Sequence, residues 1–204
     1  YAGRMKEDQK AVYYACGENV DKIKKLPQAE MVLDKGYELL YLTDDIDEFA
    51  LKMLREWDGK PFQSVSAGDL DLETPEEKEE AKKQAEEHKS LFDAMKEALG
   101  DKVDAVRLSK RLKSHPVCLA SEGEVSLEME KVLNAMPADN KVKARRVLEI
   151  NENHPIFATL SGLLDTDPDK LRDYSELLYD QALLIEGMAI EDPVAFSTRL
   201  CALM

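Results

Sequence analysis

Few residues of this chain have the types and spacing that catalysis requires. Cys16 follows an apolar run and precedes Gly17, where an α/β enzyme can place a nucleophile and where a small buried residue fits equally well. The acidic residues between Asp44 and Glu48 resemble paired carboxylates for acid–base work. Acids in the first turn of a helix are favoured by its positive end, so the pattern favours capping. We assign no catalytic residue.

Metal and phosphate sites have no supporting motif. The three histidines lie far apart, and the three cysteines show no C-x-x-C spacing. Neither G-x-x-x-x-G-K-[ST] nor G-x-G-x-x-G occurs, so no loop carries a phosphate-binding signature. We therefore expect neither a metal nor a nucleotide in this chain.

The composition is that of a folded protein, with 44% hydrophobic and 34% charged residues among 204. A net charge of −14 disfavours nucleic acid as a partner, because the phosphate backbone would be repelled. No apolar run approaches the roughly 20 residues that span a membrane, and no signal-peptide pattern is present, so we expect a cytoplasmic protein. The opening residues, from Tyr1 to Met5, are typical of the middle of a fold and indicate a piece of a longer protein.

Apolar patterns predict a small parallel α/β unit over residues 1–72. Residues 10–15 are predicted to form a strand, and residues 37–42 a second strand covered on both faces. Between them lies a helix interrupted at Pro27, and a second helix is predicted from Ile46 to Trp57 because apolar residues recur there at spacings of three and four. With a last strand at residues 62–65, the order is βαβαβ-like, which is typical of a parallel sheet.

Residues 73–204 are predicted to form an α+β domain. Thr74 and Pro75 begin an acidic helix that ends near Gly100, and residues 103–108 and 116–120 are candidate antiparallel strands. The remaining predicted elements are helices over residues 125–136, 154–164, 169–187 and 193–204 and a strand over residues 146–150. The predicted fold class is α/β plus α+β, ending in a helical hairpin.

The helix over residues 125–136 carries an apolar stripe that includes methionines. Val125, Met129, Val132 and Met136 step by four, three and four, with Leu133 alongside. Such a stripe either packs on its own core or forms an adaptable surface, because thioether side chains repack against varied partners. The pattern alone leaves both alternatives open.

The last two helices are apolar on more than one face. Because two apolar faces need two covers, two helices from each of two chains would build a four-helix bundle, which predicts a homodimer. The residues that we assign to this interface are Leu178, Ala182, Ile185, Phe196, Leu200 and Leu203.

Several segments are similar to a known family. The patterns are RMKE-x-QK-x-x-YY-x-x-GE at residues 4–18, KGYE-x-LYLTD-x-IDEF at residues 35–49 and WDGK at residues 57–60. They closely resemble the heat-shock protein 90 chaperone family, and its bacterial form fits best. The likeness continues to the end of the chain through residues 129–132, 148–155 and 177–184, so it covers essentially all of it.

The resemblance implies an organisation and a set of partners. Residues 1–72 would be the distal α/β part of the family's middle domain, and residues 73–204 its C-terminal dimerisation domain. The family's ATPase domain, which holds ATP and Mg²⁺, would lie outside this chain, so no cofactor is expected here. The implied partners are a second copy of the chain and non-native client proteins, with no nucleic acid and no membrane.

The resemblance also implies a client-binding cleft. The methionine-bearing helix matches the one that helps hold clients, and Val125 stands where the family usually has methionine. An acidic–aromatic pair matches the middle-domain side of the same cleft, although its aromatic residue also fits the core stripe of its own helix. The client-binding residues carried over are Val125, Met129, Val132, Leu133, Glu48 and Phe49.

The leading hypothesis is therefore a non-catalytic module of an ATP-dependent chaperone that dimerises through its last helices and supplies part of the client cleft. Two alternatives remain. One is an acidic dimeric scaffold that presents the helix beginning at Pro75 to basic partners. The other is a small α/β enzyme that uses Cys16.

Overall fold

The first sheet of the computed structural model, which describes residues 1–137 and 141–203, is four-stranded and mainly parallel. Strand β1 (Val12–Cys16) lies between β2 (Leu40–Leu42) and β4 (Lys60–Ser64) and runs parallel to both. Strand β3 (Glu56–Trp57) pairs with β4 in antiparallel fashion at the edge. The predicted parallel strand pairing of this region is confirmed.

The helical connection between β1 and β2 is broken, as the position of Pro27 predicts. Helix α1 (Val20–Ile23) is followed by a 3-10 turn over Pro27–Ala29 and by α2 (Glu30–Asp34). The side-chain oxygen Oδ1 of Asn19 caps α1 by accepting a hydrogen bond from the Lys22 N–H at 2.9 Å.

Two predictions for the segment after β1 are wrong. Strand β2 is not covered on both faces: it is shorter than predicted, it lies at the sheet edge, and Tyr41 is 37% exposed. The helix α3 (Asp47–Leu54) ends before Trp57, which lies in β3. The cause is the Asp58-Gly59 turn, where both residues have positive φ (49° and 73°), as in the tight turns that join antiparallel strands.

The second sheet has three strands in the order β5 (Ala105–Leu108), β7 (Arg145–Ile150), β6 (Val117–Glu122). Residues 103–108 and 116–120 were predicted to form antiparallel strands. This is wrong for β5, which runs parallel to β7, and correct for β6, which runs antiparallel to β7. Strand β7 takes the centre because its last four residues are buried, as required of a strand covered on both faces.

Helices cover the second sheet. The predicted helix over residues 75–99 is divided at His88 (φ −96°, ψ 9°) into α4 (Pro75–Glu87) and α5 (Lys89–Leu99). Helix α5 buries four apolar side chains in the core, whereas α4 buries none. The other helices are α6 (Leu127–Ala135), α7 (Pro155–Thr166), α8 (Pro168–Ile185) and α9 (Pro193–Leu203).

One buried arginine joins the two sheets. The Arg111 guanidinium donates to the carbonyl oxygens of Val65 (2.5 Å) and Gly68, which follow β4. It also donates to both carboxylate oxygens of Glu149 on β7, at 2.9 and 3.1 Å. Gly68 adopts a left-handed backbone (φ +59°) that favours glycine, and its N–H donates to the Ser121 carbonyl of β6 at 3.0 Å.

The charge of Glu149 depends on its two arginine neighbours. Burial would raise the pKa of this carboxyl, but Arg111 and Arg107 lower it below its ordinary value. Arg107 adds a contact of 2.9 Å to the same carboxylate. The group therefore remains an anion inside the protein, where it needs its cations.

We expect Arg111→Met to lower the free energy of unfolding by about 3 kcal/mol or more, because it leaves a buried carboxylate short of one cation and two carbonyl oxygens without a donor. Urea denaturation measures this change. The control is Arg145→Met, which removes two long contacts with Asp104 and Glu122 near the surface and should cost less than about 1 kcal/mol. Equal losses in the two variants would contradict a special role of Arg111.

Candidate functional site

Helix α6 presents its methionine stripe partly to the core and partly to solvent. Its cap is Ser126, whose hydroxyl accepts a hydrogen bond from the Met129 N–H at 3.0 Å and so fixes the first turn. Leu127 and Val132 are buried, whereas Met129 and Leu133 are only half-buried. Part of the stripe thus packs inside the protein, and part of it remains partly open to solvent.

Two further residues of this helix region complete the picture. Val125, just before the helix, packs against the core around the second sheet, and Met136, just after it, is 53% exposed. Leu127 was not assigned to the stripe from the sequence, because it lies outside the four-three-four spacing. Leu127 is buried because it packs in the hydrophobic core around the second sheet, which helical spacing alone does not predict.

The acidic–aromatic pair of α3 is not a surface pair. Glu48 is only 2% exposed, and Phe49 is half-buried. One carboxylate oxygen of Glu48 accepts a hydrogen bond from the Tyr14 hydroxyl at 3.1 Å, and the other accepts one from the Ser126 hydroxyl. Glu48 therefore has almost no surface left with which to touch a partner in this structure.

Most large apolar residues that recur at helical spacing around α3 lie at the surface, although Phe49 and Leu51 are half-buried. Glu48 occupies the buried position of this helix, so the predicted apolar stripe points outward. The exposed residues in and around α3 are Ile46, Met53, Leu54 and Trp57, with exposed fractions between 61% and 84%. Exposed apolar side chains grouped in this way commonly mark an interaction surface.

Cys16 lies beside a small polar cavity of about 10 Å³, which is also lined by Glu48, Ser126 and Glu186. Burial, reinforced by the Glu48 carboxylate, raises the pKa of the Cys16 thiol far above its ordinary value. A thiol that stays protonated is a poor nucleophile, so this environment disfavours the enzyme alternative. In residues 1–137 and 141–203, no group of three or more histidine, cysteine or acidic side chains is placed to hold a metal ion.

Glu186, at the end of α8, connects the last helices to the first unit. Its carboxylate accepts a hydrogen bond from the buried Gln28 amide, which also donates to the Leu119 carbonyl at 2.9 Å. Burial raises the pKa of Glu186 to about 7, and the nearby Lys131 ammonium acts in the opposite direction. The same ammonium donates to the Glu186 backbone carbonyl at 3.2 Å.

We expect this raised pKa to make stability fall as pH rises. From pH 4.5, the ordinary pKa of Glu186, to about 7, the unfolded chain releases its proton while the folded chain keeps it, so the free energy of unfolding decreases. Glu186→Gln should flatten this part of the profile, measured by urea denaturation between these pH values. Glu76→Gln, on the exposed side of α4, is the control and should leave the profile unchanged. An equally steep profile in Glu186→Gln would refute the assignment.

The assigned dimer residues do not share one environment. Leu178 and Ala182 are buried in the chain's own core, so they are not open to a partner in this conformation. Ile185, Phe196 and Leu203 are half-buried.

The apolar surface left open on the last two helices lies elsewhere. Leu184 is 49% exposed, Val194 75% and Leu200 40%. Helix α9 buries none of its described residues, and Arg199 links it to Asp173 and Asp180 of α8. The sequence showed two apolar faces on α8, but not which one the chain itself covers.

Comparison with known proteins identifies the protein family of this chain. The family model described as Hsp90 protein matches residues 1–204, so the chain belongs to the Hsp90 family. This confirms the family resemblance of the sequence. Among the described residues, no helix has both the length and the apolar character needed to cross a membrane.

Curated relatives narrow the class. The chain is 58% identical to the chaperone protein HtpG of Clostridium perfringens, 56% to that of Bacillus subtilis and 57% to that of Clostridium botulinum, over all 204 residues. It spans about a third of the length of these relatives (32–33%). The relatives are chaperones by name, so the predicted chaperone class is supported at this level.

Proposed function

We propose that this chain is the dimerising and client-holding part of a longer chaperone. Its family and its HtpG relatives support the chaperone class, and the ATPase that the family resemblance implies would lie in the two thirds of those relatives that this chain does not span. Residues 1–72 and 73–204 would be the distal middle domain and the dimerisation domain. The observation that carries the proposal is that large apolar side chains remain open to solvent on α3 and on the α8–α9 pair.

The client surface would combine α3 and α6, which pack against each other. Met53 and Leu54 of α3 are strongly exposed, and Met129 and Leu133 of α6 are half-buried. Non-native proteins expose apolar segments of many shapes, and flexible methionine side chains adapt to them. Contacts of this kind are weak and distributed, so clients would be able to bind and leave.

The dimer would form through α8 and α9 of two copies. Because α9 has apolar residues but buries none of those described, a partner helix would give it the cover that its own chain does not provide. Leu178 and Ala182 would support this face from the core side, with Leu184 and Leu200 at the contact. Joining two arms at one end raises their effective concentration for each other, which would favour closure of a clamp.

We expect the wild-type chain to have twice its mass of 23.0 kDa in light scattering, and Leu184→Asp/Leu200→Asp to have the single mass. A charge at each position would be desolvated in the contact, which is costly. Met53→Asp changes a more exposed apolar residue on α3 and is the matched control, which should stay dimeric. A wild-type mass of 23.0 kDa at every concentration would rule out the dimer.

We expect Met129→Asp/Leu133→Asp to weaken binding of a permanently unfolded protein, reduced and carboxymethylated α-lactalbumin, by about tenfold or more. A tenfold loss corresponds to about 1.4 kcal/mol, which is within the cost of desolvating two charges in an apolar contact. Fluorescence anisotropy measures the affinity, and light scattering should show an unchanged dimer mass.

The control for client binding is Val20→Asp, an exposed apolar position on α1 that should bind the probe normally. Unchanged affinity in the Met129/Leu133 variant would remove α6 from the site.

The scaffold alternative relies on helix α4, whose residues are exposed or half-buried, and it predicts a different salt dependence of binding. Binding through its acidic side chains would weaken strongly with ionic strength, whereas apolar capture would not.

A further inference from the structure

The buried carboxylate of Glu48 accepts a hydrogen bond from an uncharged donor at each of its two oxygens. Its two oxygens accept hydrogen bonds from the hydroxyls of Tyr14 on β1 and Ser126 before α6. No ion pair of Glu48 is present within the described ranges. Burial, reinforced by Glu48, raises the pKa of Tyr14, so this hydroxyl keeps the proton that it donates.

The Ser126 hydroxyl connects Glu48 to the first turn of α6. It donates to Glu48 and at the same time accepts the hydrogen bond of the Met129 N–H at 3.0 Å. Both hydrogen bonds are directional, so the position of the Glu48 oxygen limits where the first turn of α6 can lie.

A second contact on the same face of α3 reaches the same segment. Lys52 lies one helical turn after Glu48 and donates to the carbonyl of Glu124, two residues before Ser126. Residues four apart share one helix face, so one side of α3 holds the entry to α6 at two points. Met53 and Leu54 remain exposed next to this face.

We propose that Glu48 is a positioning residue: through Ser126 it sets where α6 presents Met129 and Leu133, without touching the client. The inference rests on the proposed client-binding role of α6. It differs from the assignment that the family resemblance implies for Glu48, which is a direct contact on the cleft wall. The geometry favours the indirect role because Glu48 is 2% exposed and both of its oxygens are engaged within the chain.

A double-mutant cycle distinguishes the two roles. We expect Glu48→Ala and Ser126→Ala each to weaken binding of carboxymethylated α-lactalbumin about fivefold, the factor that corresponds to loss of one hydrogen bond. The double variant should bind the probe as tightly as whichever single variant binds it less tightly, because both changes break the same hydrogen bond. Loss in Glu48→Ala combined with normal binding in Ser126→Ala would overturn the proposal.

Conservative variants separate positioning from charge and from general destabilisation. Glu48→Gln keeps an oxygen that can accept from Ser126, so it should retain most of the affinity for the probe. If the client instead bound the negative charge of Glu48 directly, Glu48→Gln would lower the affinity as much as Glu48→Ala. Ser175→Ala is the matched control, since it removes one hydrogen bond of a buried serine on α8. It should bind the probe like the wild type, and an equal loss in this variant would contradict the link.

A second measurement does not depend on the client. Hydrogen exchange of the Met129 amide should accelerate in Glu48→Ala and in Ser126→Ala, and remain slow in Glu48→Gln and Ser175→Ala. Unchanged exchange in the first two variants would refute the positioning role even if no probe bound. If the wild type failed to bind the probe while exchange behaved as expected, the client-binding role would fail and the link would stand.

Discussion

The buried contact of Arg111 with Glu149 is the interaction on which the rest of the structure depends. It ties two carbonyl oxygens that follow the first sheet to a carboxylate in the centre of the second. An arginine is suited to this because its planar group offers several donors in fixed directions and keeps its charge when buried. This contact acts together with the hydrogen bonds of Glu48 and Lys52, which join α3 to the entry of α6.

Further polar groups with few open contacts join elements that are distant in sequence. Gln28, Glu48 and Glu186 occupy buried positions between the two sheets, where apolar side chains would ordinarily lie. Their hydrogen bonds are directional, so they fix the relative positions of the elements that they join. Apolar side chains such as Met53 and Leu184 lie at the surface beside these buried polar positions.

Much of the fold follows from local patterns, but the candidate site does not. Strand β1 was predictable from its continuous run of strand-forming residues, and helix α8 because its apolar periodicity agrees with its burial. The place of β7 between β5 and β6, and the choice of Leu178 over Leu184 for the core, depend on contacts distant in sequence. Burial of Glu48 depends on Ser126, 78 residues away. The Asp58-Gly59 pair, by contrast, was a readable signal for the β3–β4 turn.

Native-state hydrogen exchange at increasing urea tests the coupling of the two sheets most directly. The amides of Tyr14 in β1 and Leu148 in β7 report on the two sides of the Arg111 contact. If this contact makes the sheets one cooperative unit, both amides should reach the same opening free energy and the same urea dependence. Two clearly separate opening free energies, with the first sheet opening while the second stays closed, would contradict the account.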